Sequence, residues 1–461
     1  MSAPGTSLRV LHAVTLHSPT GAFGGPVRVA LNLAHGLAAR GHRPRLLALA
    51  DGFDGAPPRE VEGVPARLYP ARRLLPLGFS GITSPALLAG AGRLVRGADL
   101  VHVHLARDLV TLPVALAALR AGVPLVLQTH GMVDPSGRAL AKVLDALAVR
   151  RVLRGAAAVL HLTAHERRAL EAVVGAPLPT AVHLVNGVPA QEPRPLPAGP
   201  PRILYAARLQ ARKRPVDFVD AAPGVLRGHP DAEFVIAGPD EGELPAVRRR
   251  IEELGLAGRV LCLGALPPAR VLEELRRAHV HVLPSVDEPF PMSVLESLSV
   301  GTPVVVTRSN GLAPAVGEAG AGRVVEGAGG LTGAVLELLE PRSAEKASAA
   351  AHRLAGEAFS IDAVVGELLE VYGRAAGRPG RTAGAAAAGG AAAGAAAAGG
   401  GAARRADGSA DHPEEQPSEH PEDRPAERAA RSPAEQPAQR AARSPEDRPA
   451  DTPSAQSRNQ A

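Results

Sequence analysis

Short runs dominated by Val, Leu and Ile recur along the first 375 residues, and longer stretches with helical spacing separate them. The runs LRVLHAVTL, RPRLLALA, DLVHVHL, PLVLQTH, AAVLHLT and AVHLV come first. After a Pro/Gly-rich gap at 189–201 they resume as RILYAARL, EFVIAGP, RVLCLG, VHVLPS and PVVVT. Continuous apolar strands alternating with amphipathic stretches such as VRVALNLAHGLAARGH and ELPAVRRRIEELGL imply βαβ units and parallel sheets covered on both faces. Two such series predict an α/β protein with two Rossmann-like domains, at 1–190 and 200–345, and further helices at 346–375 packing on or across both. Ligands of such sheets bind beyond the carboxyl ends of the strands, so the loop after each strand is expected to carry the chemistry.

Composition narrows the partners. With no Trp, three Tyr and seven Phe, the core must be built mainly from Leu, Val and Ala. The single cysteine, Cys262, excludes an internal disulfide and fits a reducing compartment; in VLCLG it reads as a small buried hydrophobe. Beyond Tyr372 there is no Val, Ile, Leu, Met or aromatic residue, and RAARSP recurs at 428–433 and 440–445. Such a segment cannot bury enough apolar area to offset chain entropy, so 376–461 is expected to be a disordered tail. From residue 382 onward nine basic and twelve acidic residues leave −3 out of a net +5, so residues 1–381 carry +8. A basic body favours anionic partners. No Lys/Arg cluster is interleaved with aromatics, so nucleic acid is not expected. MSAPGTSLRVLHAVTL lacks the form of a signal peptide, and no window of eighteen apolar residues is free of charge. A soluble, cytoplasmic protein is expected. The basic segment RLYPARRLLPLGF (67–79) is read as loop and helix, with peripheral contact to an anionic inner membrane face as its other reading.

The strand ends supply candidates. Gly24 and Gly25 follow the first strand just before a helix, where they let a ligand approach backbone N–H groups. His102 and His104 share one strand and one face. As a metal pair they lack an obvious third ligand, and polar residues at a strand's end are the simpler reading. His130 terminates PLVLQTH and is followed by Gly131, which sets an imidazole at a carboxyl end. In the second series, Arg208 and Lys213 straddle the loop after RILYAARL, as either an anion clamp or a solvated basic loop. The stretch DEPFPMSVLE then places Glu288 before a helix and Glu296 about one turn inside it, with Pro291 in the first turn. The N–H groups of Met292, Ser293 and Val294 are expected to be orphan donors at a positive helix end. The two glutamates are either solvated or aimed at a ligand.

In order, the elements GG (24–25), HVH (102–104), THG (129–131), NGV (186–188), ARLQARK (207–213), VIAGP (235–239), CLG (262–264) and Glu288-x7-Glu296 followed by GTPVVVT form a recognisable set. Over roughly 8–375 the chain resembles family 4 (group 1) of the retaining nucleotide-sugar glycosyltransferases. That resemblance implies the GT-B fold, two Rossmann-like domains facing each other across a cleft. It implies a UDP- or GDP-sugar donor and a saccharide, lipid-linked or small-molecule acceptor, as in polysaccharide biosynthesis. His130 and Glu288 would be catalytic and face the transferred sugar. Gly25, Arg208, Lys213, Met292, Ser293 and Val294 would hold the donor diphosphate, Glu296 the ribose, and Gly24 and His104 would lie on the acceptor side. No cofactor and no metal are implied, in keeping with the lack of an Asp-x-Asp motif. Two positions depart from the family: Pro291, where relatives often have Gly, and Ala315, where many have Glu. A non-hydrolysing nucleotide-sugar epimerase on the same plan and a catalytically silent nucleotide-binding scaffold are the competing readings.

Overall fold

The computed structural model describes residues 7–19, 24–74 and 78–377, and the tail expected from 376 lies outside them from 378 onward. Its strands are β1 (Arg9–His17), β2 (Arg43–Ala50), β3 (Glu60–Val61), β4 (Val64–Pro70), β5 (Arg72–Arg73), β6 (Ile82–Thr83), β7 (Leu100–His104), β8 (Leu125–Gln128), β9 (Ala158–His161) and β10 (Ala181–His183) in the first half. The second half has β11 (Arg202–Ala206), β12 (Glu233–Ala237), β13 (Val260–Gly264), β14 (Val280–Leu283), β15 (Val304–Thr307) and β16 (Gly322–Val325).

Two sheets result. The first has the order β10-β9-β8-β7-β1-β2-β4-β3, the second β13-β12-β11-β14-β15-β16, and every pairing in them is parallel except β3 with β4. Helices on both faces explain why the strands read as unbroken apolar runs: β7, β8, β9, β14 and β15 are buried at every residue. Strand order reverses between β1 and β7 in one sheet and between β11 and β14 in the other. A crevice opens beyond the strand ends at such a reversal. The loops carrying Gly24–Gly25, Arg208–Lys213 and Glu288 leave these strands.

The closing helices bind the two halves differently. Pro341–Ala358 adds Ala347, Ala350, Ala351 and Ala355 to the core around the second sheet, while Ile361–Ala376 returns to the first and packs Val364, Val365, Leu368 and Tyr372 against Val10, Leu33 and Leu100. The two chain crossings lie side by side. Val188 N–H donates to the Phe359 carbonyl (2.9 Å) and Ile361 N–H to the Val188 carbonyl (3.0 Å).

Two local expectations are corrected. The segment 67–79 does not form a helix up to residue 74: Leu68 and Tyr69 are buried in β4, and Arg72–Arg73 pair with Ile82–Thr83. Val64–Pro70 escaped notice because two prolines and an arginine break its apolar run. Cys262 is exposed, since β13 is an edge strand with only Val260 buried. Its surroundings push the thiol above its ordinary value, so nothing activates it as a nucleophile.

Candidate active site

A cavity of about 870 Å³ lies where the carboxyl ends of the two sheets meet. Both halves line it: Gly24, Gly25, Arg28, Glu62 and His130 from the first, Arg208, Lys213, Glu288, Met292, Ser293 and Glu296 from the second. No described atom stands within 4 Å of a Cβ built on Gly24 or Gly25, so the bare backbone there faces open space.

On the second-sheet wall each cation already has a carboxylate. Lys213 Nζ lies 2.5 Å from Glu288 Oε2, with both side chains about nine-tenths buried, and Arg212 Nη2 stands 3.5 Å from the same oxygen. Burial pushes the Lys213 ammonium below its ordinary value, and the Glu288 carboxylate opposes that shift. Arg208 Nη1 donates to both oxygens of Glu241, at 2.7 and 3.0 Å, and Gln210 holds the same carboxylate at 3.0 Å. The expected pair Arg208–Lys213 therefore shares one cavity as two ion pairs. Glu241 was missed because only the fold brings the loop after β12 beside the loop after β11.

Glu288 follows a residue with left-handed backbone. Asp287 has φ +50°, in the left-handed region, and the Gly311 N–H donates to the Glu288 carbonyl at 2.8 Å. The helix Met292–Ser299 follows, with Pro291 as its extended N-cap. The N–H groups of Val294 and Leu295 both turn back to the Pro291 carbonyl (3.2 and 3.3 Å), which corrects the expectation for Val294: it is buried and makes no lining. Met292 and Ser293 keep their amides at the cavity without a backbone acceptor among the described residues. Glu296 lies one turn on. Arg28 Nε approaches it to 4.0 Å, while Arg28 also pairs with Glu62 at 2.8 Å. Desolvation pushes the Glu296 carboxyl up to about 7 against the pull of Arg28.

The first-sheet wall is built on His130 and Gly131, both in the left-handed region at φ +51° and +71°. A Cβ on Gly131 would come 2.4 Å from Pro289 Cγ, so this glycine is what lets the loop after β8 touch the loop carrying Glu288. Glu166 pins the turn, accepting from Gly131 N–H (2.7 Å), Thr129 Oγ1 (2.5 Å) and Leu162 N–H (2.7 Å). The signal was present in the sequence, as Thr163-x-x-Glu166 is a capping-box pattern, and Thr163 Oγ1 accepts from Glu166 N–H at 3.1 Å.

Behind His130 stand three more histidines. His104 Nδ1 lies 2.8 Å from His130 Nε2, His104 Nε2 lies 3.3 Å from His12 Nδ1, and His102 Nδ1 lies 2.7 Å from Tyr372 Oη. His104 is fully buried and reaches the cavity only through His130, which corrects its expected place on the acceptor side. His12, His102 and His104 hold ring nitrogens within 4.8 Å of one another, and among the described residues they form the one group able to surround a metal ion. His12 is the third partner that sequence spacing could not supply. It pairs with His102 across β1 and β7. The His102 and His104 rings lie 4.7 Å apart and 10° from parallel, so their in-plane lone pairs do not converge on one point.

Residues 24–187 match the glycosyl transferase 4-like domain and residues 190–353 match glycosyl transferases group 1. The D-inositol 3-phosphate glycosyltransferase of Acidothermus cellulolyticus is 31% identical over 414 residues, spanning 80% of this chain and 91% of that protein. Glycogen synthase of Mycobacterium tuberculosis is 29% identical over 292 residues, 59% of this chain and 68% of that protein. The crystal structure of Anabaena HepE in complex with UDP and glucose superposes with a TM-score of 0.65 at 19% identity, covering 79% of this chain and 99% of that one. The chain belongs to the group 1 glycosyltransferases and has the GT-B fold.

Proposed function

We propose that the protein is a retaining, metal-independent glycosyltransferase. It moves a sugar from a UDP- or GDP-sugar to a hydroxyl of a saccharide, lipid-linked or small-molecule acceptor. The observation that carries this reading is the convergence of Arg208, Lys213, Glu288, Glu296 and His130 on one cavity between the sheets. Family membership supports it, as does a fold neighbour solved with UDP-glucose.

In this reading the donor lies along the second-sheet wall. Its diphosphate competes with Glu241 for Arg208 and takes charge from Lys213, the amides of Met292 and Ser293, and the backbone at Gly25. These groups stabilise the negative charge that develops as the anomeric C–O bond breaks. Glu296 accepts from the ribose hydroxyls, Glu288 from sugar hydroxyls beside the anomeric carbon, and His130 faces the sugar from the opposite wall. The acceptor enters on the side of Gly24 and attacks the same face that the phosphate leaves, and the phosphate takes its proton. Glu288 is tied to Lys213, so it serves as a hydrogen-bond acceptor and not as one of a free pair of acid and nucleophile carboxylates.

A thermal-shift panel of UDP-, GDP- and ADP-sugars, with and without EDTA, tests the reading. Stabilisation by a UDP- or GDP-sugar that survives EDTA is expected, and no stabilisation by any of them sinks it. Glu288→Gln separates roles: turnover should fall about a hundredfold while nucleotide affinity changes little, as for loss of one transition-state contact.

A further inference from the structure

The chain of imidazoles behind the cavity has a polarity, and the burial of its far end decides it. Moving outward, the contacts run His12 Nδ1 to His104 Nε2 (3.3 Å) and His104 Nδ1 to His130 Nε2 (2.8 Å). The rings of His104 and His130 lie within 5° of parallel. Burial holds His12 and His130 down to about 3, and His104 well below the usual histidine range, so each ring is neutral and carries one proton. A neutral ring donates at one nitrogen and accepts at the other, so the chain can point only two ways.

If protons point inward, His130 Nε2–H donates to His104, His104 Nε2–H to His12, and His12 is left with Nε2–H. That atom is fully buried and has no partner among the described residues. If protons point outward, His12 Nδ1–H donates to His104 and His104 Nδ1–H to His130. The buried end is then a bare lone pair. A buried, orphaned N–H is the rarer and costlier defect. We propose that His12 and His104 are positioning residues that fix His130 in its Nδ1–H tautomer, so that it meets the transferred sugar as a hydrogen-bond donor and not as a base. His130 lines the cavity, and no described residue hydrogen-bonds its Nδ1. Its backbone lies in the left-handed region, at φ +51°. The consequence for transfer rests on the donor-site reading above; the tautomer itself does not.

The test is long-range 1H–15N correlation on the full chain labelled at histidine, free of ligand, near pH 7.5, with metal content measured on the same sample. The expected result is protonated Nδ1 and bare Nε2 at His12, His104 and His130. Protonated Nε2 at His130, a charged ring at any of the three, or one equivalent of bound metal overturns the proposal. His12→Phe removes the first donor and should give His130 mixed tautomers, with kcat about tenfold lower and donor KM unchanged, the scale of lost outer-shell support. His12→Asn replaces the Nδ1 donor with an amide N–H and should restore both. An unchanged His130 spectrum in folded His12→Phe overturns the relay. The expected tautomers in a protein that no nucleotide sugar stabilises support the relay and sink the donor site alone.

Discussion

Lys213 Nζ and Glu288 Oε2 meet at 2.5 Å, from residues 75 apart in the chain, and the contact joins the loop after β11 to the loop after β14. It closes the topological reversal of the second sheet with a nearly buried ion pair. Removing one partner of such a pair strands a charge, whereas removing both need not. Lys213→Ala should destabilise the protein by about 3 kcal/mol, and Lys213→Ala with Glu288→Ala together by less than the single variants summed. Urea denaturation of the four proteins reads the coupling. Additive losses would show that the pair exists for the ligand and not for the fold.

Gly131 governs how closely the walls approach. A methyl group there meets Pro289 Cγ at 2.4 Å, on backbone at φ +71°. Gly131→Ala should cost about 1 kcal/mol in stability from the left-handed strain. Transfer should suffer far more, by about a hundredfold in kcat/KM, because a misplacement of about 1 Å between sugar and acceptor is enough for that loss. Wild-type turnover in a folded Gly131→Ala protein would show that the contact with Pro289 is incidental.

Much of this architecture was legible because parallel strands buried on both faces leave unbroken apolar runs, as in LVHVH and VHVL. The same logic located Arg208, Lys213, Glu288 and His130, since strand-end loops host the chemistry of such sheets. What stayed hidden depends on neighbours across sheets. His12 carries no signal of its own inside LRVLHAVTL, and only strand register sets it beside His102. Arg28 and Glu241 sit on elements whose relation to Glu296 and Arg208 no spacing encodes. Val294 was misjudged because a helix start can satisfy its own amide through a tight turn, here onto the Pro291 carbonyl.

Glu296 gives the proposed donor site a pH dependence. Its carboxyl, pushed up to about 7, is largely protonated at pH 6 and ionised at pH 8. A carboxylate accepts ribose hydroxyls more strongly than a carboxylic acid, by about 1 kcal/mol, so UDP-sugar affinity should rise about three- to fourfold over that interval. UDP-sugars themselves do not titrate there, which isolates the protein group. Isothermal titration from pH 6 to 8 should show this rise in the wild type and a flat profile in Glu296→Gln. The same slope in both would assign the titration elsewhere.

Buried histidines set the acid limit of the fold. Desolvation lowers His12, His130 and His281 to about 3 and takes His102 and His104 well down too. For a base depressed on folding, stability is complete above the unfolded value near 6.5 and is lost as pH falls toward the folded one, at about 1.4 kcal/mol per pH unit for each group. Glu296, raised on folding, works the other way, since its contribution is fully present below the unfolded carboxyl value and fades as pH rises through about 7. Five depressed histidines outweigh one raised carboxyl, so urea midpoints should fall steeply from pH 6.5 to 5. His281 isolates one share of that slope. It lies between Leu204 and Val304 in adjacent strands, with both ring nitrogens buried and unpartnered. His281→Leu should remove about one proton from the uptake on unfolding and leave the protein more stable than wild type at pH 5. An unchanged pH slope in that variant would mean that His281 already carries its proton in the folded protein.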